Sequence, residues 1–191
     1  MAFFAISQSV DSLTDGRIIL RSPTLADYED WAELRQASRA FLQPWEPSWP
    51  VDDLTRTSYR RRMRRYTEDQ RADHAYPYFV FATDGTLLGG LTLSNVRRGV
   101  AQTATLGYWM GKSFAGKGHM TAAVRLIVPH ALTTLGLHRV EAACMPSNAA
   151  SIRLLEKVGF TREGYARRYL CIDGLWQDHL LFAFVRGDSL K

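Results

Sequence analysis

The chain has 191 residues, of which 46% are hydrophobic, 12% aromatic and 23% charged, values that exclude a disordered, collagen-like or low-complexity chain. Its 24 Lys and Arg against 19 Asp and Glu leave a net charge of +5, which points to an anionic ligand or partner without naming it. No stretch nears the ~18 apolar residues of a membrane helix, the opening MAFFAISQSV has no basic flank, and Cys144 and Cys171 sit in no metal-ligand pattern, so a cytoplasmic protein without metal or disulfide is expected.

Residues 1–191 read as a single domain with an N-terminal extension over about residues 1–15. Residues 17–21 (RIILR) predict a strand, after which Thr24 is placed to cap a helix reaching about Arg39. Leu25, Tyr28, Trp31 and Leu34 give that helix an apolar face. Residues 43–50 (QPWEPSWP) are too rich in proline for a helix and predict an ordered loop. Asp52 or Asp53 is expected to cap a second helix to about Gln70. Its segment YRRRMRRY turns Tyr59, Met63 and Tyr66 to one side and spreads arginines over the rest. Arg60, Arg61, Arg64 and Arg65 are then either a solvated face or a ribosome or RNA contact.

Beyond Pro77 the period changes. YFVFAT, the turn Asp84-Gly85 and TLLGGLTLSN read as two antiparallel strands, and AQTATLGYWM (residues 101–110) follows through Arg97-Arg98-Gly99 as a third. A loop, KSFAGKGH, precedes a helix over about residues 120–135 with Val124, Ile127, Ala131 and Leu135 inward and a kink expected at Pro129. A short strand over residues 138–143 leads to a helix capped by Ser147 or Asn148, carrying Ile152, Leu155 and Val158 inward and ending at Gly159. Residues 165–172 and 175–185 form a terminal hairpin around Asp173-Gly174. The order predicts an α/β (α+β) chain with a mixed sheet and helices on both faces.

Gly116, Lys117 and Gly118 lie between a strand and a helix start, where backbone amides and the helix dipole favour an anion such as a phosphate. A tight turn explains the same glycines. A Walker loop is excluded because no Ser or Thr follows the Lys as that motif requires.

The strand LGYWM before this loop, Asn148 at a later helix start and Val158-Gly159-Phe160 at that helix's end together resemble the GNAT superfamily of acyl-CoA-dependent N-acetyltransferases. The segment HRVEAACMPSNAASIRLLEKVGFTREGYARRYLCIDGLWQDHLL looks like the RimJ-type ribosomal-protein-alanine N-acetyltransferases. The resemblance spans about residues 17–184. It implies a GNAT fold, a mixed and mostly antiparallel twisted sheet of about seven strands, and acetyl-CoA as co-substrate with no metal. It also implies that Met110 and Lys112 offer backbone groups to the pantetheine arm, that Ala115, Gly116, Lys117, Gly118, His119, Met120 and Thr121 wrap the pyrophosphate, and that Asn148 reaches the pantetheine. The chain departs from the superfamily pattern at Ala115, where Gln or Arg is usual, and at Met120, where a small residue is usual. The tyrosine that many members carry on the last helix is here Leu155, which donates no proton.

Amide formation from a thioester needs a neutral amine, a donor for the oxyanion and a proton for the thiolate. A chain N-terminus, with pKa ~7.7–8.0, tolerates a weaker base than lysine at ~10.4. Glu141 and His179 are the candidate bases and the Met110 N–H the candidate oxyanion donor. Glu141 also reads as an ion-pair partner of Arg139 or Arg153, and His179 as a structural hydrogen-bond partner. Cys144 as a covalent nucleophile is a remote option, since direct attack needs none. The expected acceptor is the N-terminal amine of a ribosomal protein. A small amine such as a polyamine, amino-acid derivative or aminoglycoside is the enzymatic alternative, and a CoA-sensing or RNA-associated ribosome assembly factor the non-catalytic one.

Overall fold

The structure, a computed structural model, describes residues 12–191. Eight strands form one sheet in the order β1-β2-β3-β4-β5-β6-β8-β7. They are β1 (Leu13–Thr14), β2 (Ile18–Arg21), β3 (Tyr76–Ala82), β4 (Leu87–Arg97), β5 (Thr103–Met110), β6 (Arg139–Cys144), β7 (Thr161–Ile172) and β8 (Leu175–Val185). Every neighbouring pair is antiparallel except β5 and β6. The strand beyond the expected seven is β1, made from the end of the proposed N-terminal extension; the rest of that extension, residues 1–11, lies outside the described residues.

Alternation along the strands builds two cores. Val80, Leu91, Leu106, Val140 and Phe182 face the helices α4 (His119–Thr133) and α5 (Ala149–Val158), which contribute Val124, Ile127, Leu155 and Val158. On the other face Phe79, Phe81 and Leu87 pack against Trp31 of α1 (Tyr28–Ala37) and against Tyr59 and Met63 of α3 (Arg56–Arg71). Pro129 stands inside α4.

Three local expectations are corrected. The first helix opens as a single 3-10 turn, Leu25–Asp27, and stops at Ser38 before a short α2 (Arg39–Leu42). The tryptophan loop contains a 3-10 turn, Gln43–Trp45. The cap of α3 is Thr55, whose hydroxyl accepts from the Ser58 amide at 3.2 Å, because both aspartates are engaged elsewhere. Asp52 binds Ser58 and Arg61, while Asp53 turns inward to Arg62.

Asp27 ties the start of α1 to the sheet. It accepts from the Arg21 guanidinium at 2.5 and 2.9 Å, from the Thr24 amide at 2.7 Å and from the Thr24 hydroxyl at 3.0 Å. Burial alone would raise its carboxyl, but Arg21 and Thr24 hold it below the usual carboxylate value. A depressed folded-state value stabilises the protein above the unfolded value and loses that effect as pH falls through the folded one. Asp27→Asn is therefore expected to cost about 1.5–3 kcal/mol at pH 7. In urea melts across a pH series the gap from the parent should shrink as pH drops below 3.8.

Candidate active site

The sheet opens at its one parallel junction. β5 and β6 pair only from Thr103↔Arg139 to Thr105↔Glu141, after which Leu106 to Met110 and Ala142 to Cys144 diverge. The Gly111 amide donates to the Leu88 carbonyl at 2.9 Å, so alternation along the β4–β5 ladder turns the N–H and C=O of Tyr108 and Met110 away from β4. These groups line the gap as a strand edge that β6 does not pair. Lys112 does not extend that edge, which corrects the expectation for it. Its N–H donates to the Ser38 hydroxyl at 2.9 Å, and its carbonyl accepts from Ala115.

The chain then turns into α4 through Gly116 (φ +75°) and Gly118 (φ +83°), a left-handed conformation open to glycine and strained for most residues. A Cβ built at either position meets nothing within 4 Å, so the loop is a cradle open to a guest. The first intrahelical donor is the Ala122 amide, bonded to the Gly118 carbonyl at 3.0 Å. The amides of His119, Met120 and Thr121 therefore have no helical acceptor and stand at the positive end of the helix, a geometry that favours an anion. The Met120 side chain is buried in the first core, so its departure from a small residue leaves the cradle unobstructed. Ala115 supplies no charge, and Lys117 is exposed beside the loop.

Across the gap Asn148 caps α5, its side-chain oxygen accepting from the Ser151 amide at 3.0 Å. The Ser151 hydroxyl lies 2.6 Å from the Tyr108 hydroxyl, linking β5 to the first turn of α5. Burial drives the Tyr108 phenol above its ordinary value. Sequence reading missed this pair. Ser151 stands four residues before Leu155 on the same helix face, the signal that would have found it. Burial also pushes the Cys144 thiol up, which keeps it protonated and speaks against a nucleophilic role.

The two candidate bases separate on geometry. Glu141 is bound by Arg139 at 2.9 Å and by Arg97 at 3.4 Å. It shares a rung with Thr105, and from there to Met110 the strand advances about 17 Å, at ~3.3 Å per residue. That distance and those partners remove Glu141 from the base role and make it an ion-pair residue. For His179 the register counts the other way. Thr105, Glu141 and Ala183 form one rung, and four residues further along each strand stand Trp109 on β5 and His179 on β8, at one level on the α1 and α3 face. His179 is 3% exposed and its Nδ1 lies 3.0 Å from the Gln177 carbonyl. A carbonyl only accepts, so Nδ1 is the donor in this contact, which selects the tautomer with its lone pair on Nε2. Asp178 points away, bound to the Tyr165 hydroxyl and the Arg168 amide, so it does not form a pair with His179.

On the same face as His179, a cavity of about 410 Å³ has Gly107 and Trp109 as part of its floor and Trp31, Tyr66 and Trp49 among its walls. The Trp109 indole lies against β4, where a Cβ at Gly90 would come within 2.7 Å of its nitrogen, and this explains the Gly there. The proline-rich loop forms one wall. The Glu46 carbonyl accepts from the Asp173 amide at 3.0 Å, fastening that loop to the terminal hairpin. Arg60, Arg61, Arg64 and Arg65 are exposed on α3, with Arg61 paired to Asp52. Among the described residues no cluster of His, Cys, Asp or Glu has the makings of a metal site, and no helix is long and apolar enough to cross a membrane.

Residues 17–161 match the model of the acetyltransferase (GNAT) domain. A probable N-acetyltransferase, YjcK of Bacillus subtilis, is 39% identical over 90% of this chain and 96% of its own length. The [ribosomal protein uS5]-alanine N-acetyltransferase of Escherichia coli is 34% identical over 92% and 91%. Among solved structures, Mycobacterium smegmatis RimJ in complex with CoA-disulfide superposes with a TM-score of 0.88 at 33% identity, covering 94% of this chain and 89% of that one.

Proposed function

The chain belongs to the GNAT acetyltransferase family, and from that premise we propose that it moves the acetyl group of acetyl-CoA onto the N-terminal α-amine of a ribosomal protein in the cytoplasm. One observation supports this above the rest. The open edge of β5 leads at Met110 toward the glycine loop before α4, and Gly107, Tyr108 and Trp109 of the same strand line the aromatic cavity.

Gly116, Lys117, Gly118 and the amides of His119, Met120 and Thr121 hold the pyrophosphate, and the edge of β5 with Asn148 holds the pantetheine arm. When bound, acetyl-CoA supplies an activated acyl carbon. The Met110 N–H donates to the carbonyl oxygen as negative charge gathers there. His179 Nε2 accepts the proton released by the attacking amine, directly or through water. The Ser151 hydroxyl, poised against Tyr108, donates to the departing thiolate in the place of the missing tyrosine.

The cavity's two carboxylates, Glu46 and Asp53, are each matched by a guanidinium, so it is not the acidic pocket that a polyamine or aminoglycoside favours. Exposed Arg60, Arg64 and Arg65 are a docking surface for the ribosome rather than part of the chemistry. Incubation with acetyl-CoA and a pool of ribosomal proteins, followed by peptide mass spectrometry, should return N-terminal acetylation. Lysine marks, or turnover of free polyamines alone, would refute the acceptor assignment. Changing Arg60, Arg64 and Arg65 to Ala should leave turnover of a free peptide within twofold and weaken ribosome co-sedimentation at least fivefold. Unchanged sedimentation returns the arginines to a solvated face.

A further inference from the structure

The acceptor cavity contains a set of buried polar atoms whose bonding is incomplete in a particular way. Both Glu46 oxygens are engaged, by Arg35 Nη1 and Nη2 at 2.8 Å each and by Trp49 Nε1 at 2.7 Å. Asp53 is only 9% exposed. Its Oδ1 accepts from Arg62 at 2.7 Å, while Oδ2 is closed to solvent with no hydrogen-bond partner. Arg35, 7% exposed, and Arg62 each leave a buried Nε–H in the same condition. All four residues line the one cavity.

A charged group buried without a full set of partners is costly, and the cost is relieved by a ligand that supplies them. The unfilled positions are one anionic acceptor and two donors. Their complement is a group bearing an N–H and, a few bonds away, carbonyl oxygens, which describes the first residues of a peptide. A polyamine offers donors alone and leaves both Nε–H groups unfilled. The charges of the four residues balance, so recognition rests on hydrogen bonding rather than on net attraction.

Resting on the acetyltransferase reading above, we propose that Asp53 is the specificity residue for the acceptor's terminal amine. Oδ2 accepts an N–H of that amine after a small side-chain rotation toward the cavity, and Arg35 and Arg62, turning likewise, donate their Nε–H groups to the carbonyls that follow. Trp31 and Trp109 then enclose the first side chain, favouring a small one.

The test compares a hexapeptide beginning with Ala and the same peptide carrying propionyl in place of Ala, which lacks only the amine. Binding to the CoA-loaded protein is measured by calorimetry. The wild type should prefer the free amine at least tenfold. Asp53→Asn keeps the size and an acceptor toward Arg62, and should cut the preference below twofold with CoA affinity unchanged. Asp53→Ser, measured alongside, should lose the preference too and covers the case in which the Asn variant folds poorly. Equal binding of the two peptides by the wild type overturns the proposal without recourse to any variant. So does a preference that survives in either folded variant. Failure of the underlying reading shows differently, as a wild type that leaves the free-amine peptide unacetylated when given acetyl-CoA.

Discussion

Gly118→Asp is expected to weaken acetyl-CoA binding at least 100-fold while leaving the fold intact. Gly118 is the N-cap of α4 and adopts φ +83°. Asp tolerates that conformation better than most residues and is a favoured N-cap, so α4 should still form. What changes is the electrostatics of the cradle. The new carboxylate enters the open space that a Cβ finds there, the same space in which the proposed function seats the pyrophosphate against the helix amides. At ~4 Å and an effective dielectric near 20, two like charges repel by about 4 kcal/mol, roughly a thousandfold in affinity before screening. Gly118→Ala separates the causes. It carries only the backbone strain of about 1–2 kcal/mol and should lose at most about 30-fold. Titration calorimetry with acetyl-CoA on both variants, with circular dichroism as the check on folding, decides the matter. Unaltered affinity in Gly118→Asp would move the phosphate away from this loop.

The parts of this site that were legible in the sequence are those specified by neighbours in the chain. Turn chemistry at Asp84-Gly85 and Asp173-Gly174, alternation in the strands, the Asn148 cap and the Gly116–Gly118 loop all act over a few residues, and each stands where local reasoning put it. What was not legible depends on contacts between distant segments. Ser38 ends α1 and takes the Lys112 N–H, 74 residues away, and nothing near either residue announces the bond. The rung of Glu141, far from Met110, follows from where β5 and β6 stop pairing. Arg62 sat within a basic run that periodicity assigned to the helix surface. Its pairing with Asp53 draws it inward and at the same time deprives α3 of the expected cap.

Glu46 also acts through a partner distant in the chain. Arg35 is held by both Glu46 oxygens and lies 4.0 Å over Trp49 and 5.0 Å over Trp109. Glu46→Ala leaves this buried guanidinium unpaired and removes the acceptor of the Trp49 indole, which should cost about 3–5 kcal/mol. In a chain of this size that lowers Tm by roughly 6–20 °C, at 2–4 °C per kcal/mol. A buried ion pair need not stabilise relative to apolar residues of similar volume, however. The double variant Arg35→Met with Glu46→Leu should therefore recover most of the lost Tm in a thermal melt. Acceptor affinity should not return with it, because the donors and the fixed loop wall of the cavity are gone. The expected signature is near-parental stability with a peptide KM raised at least tenfold and an acetyl-CoA KM within twofold. Recovery of both stability and peptide KM would show that the Arg35–Glu46 pair only props the loop. Recovery of stability alone would show that this pair shapes the cavity for its acceptor, at a position where hydrophobic packing would have served the fold as well.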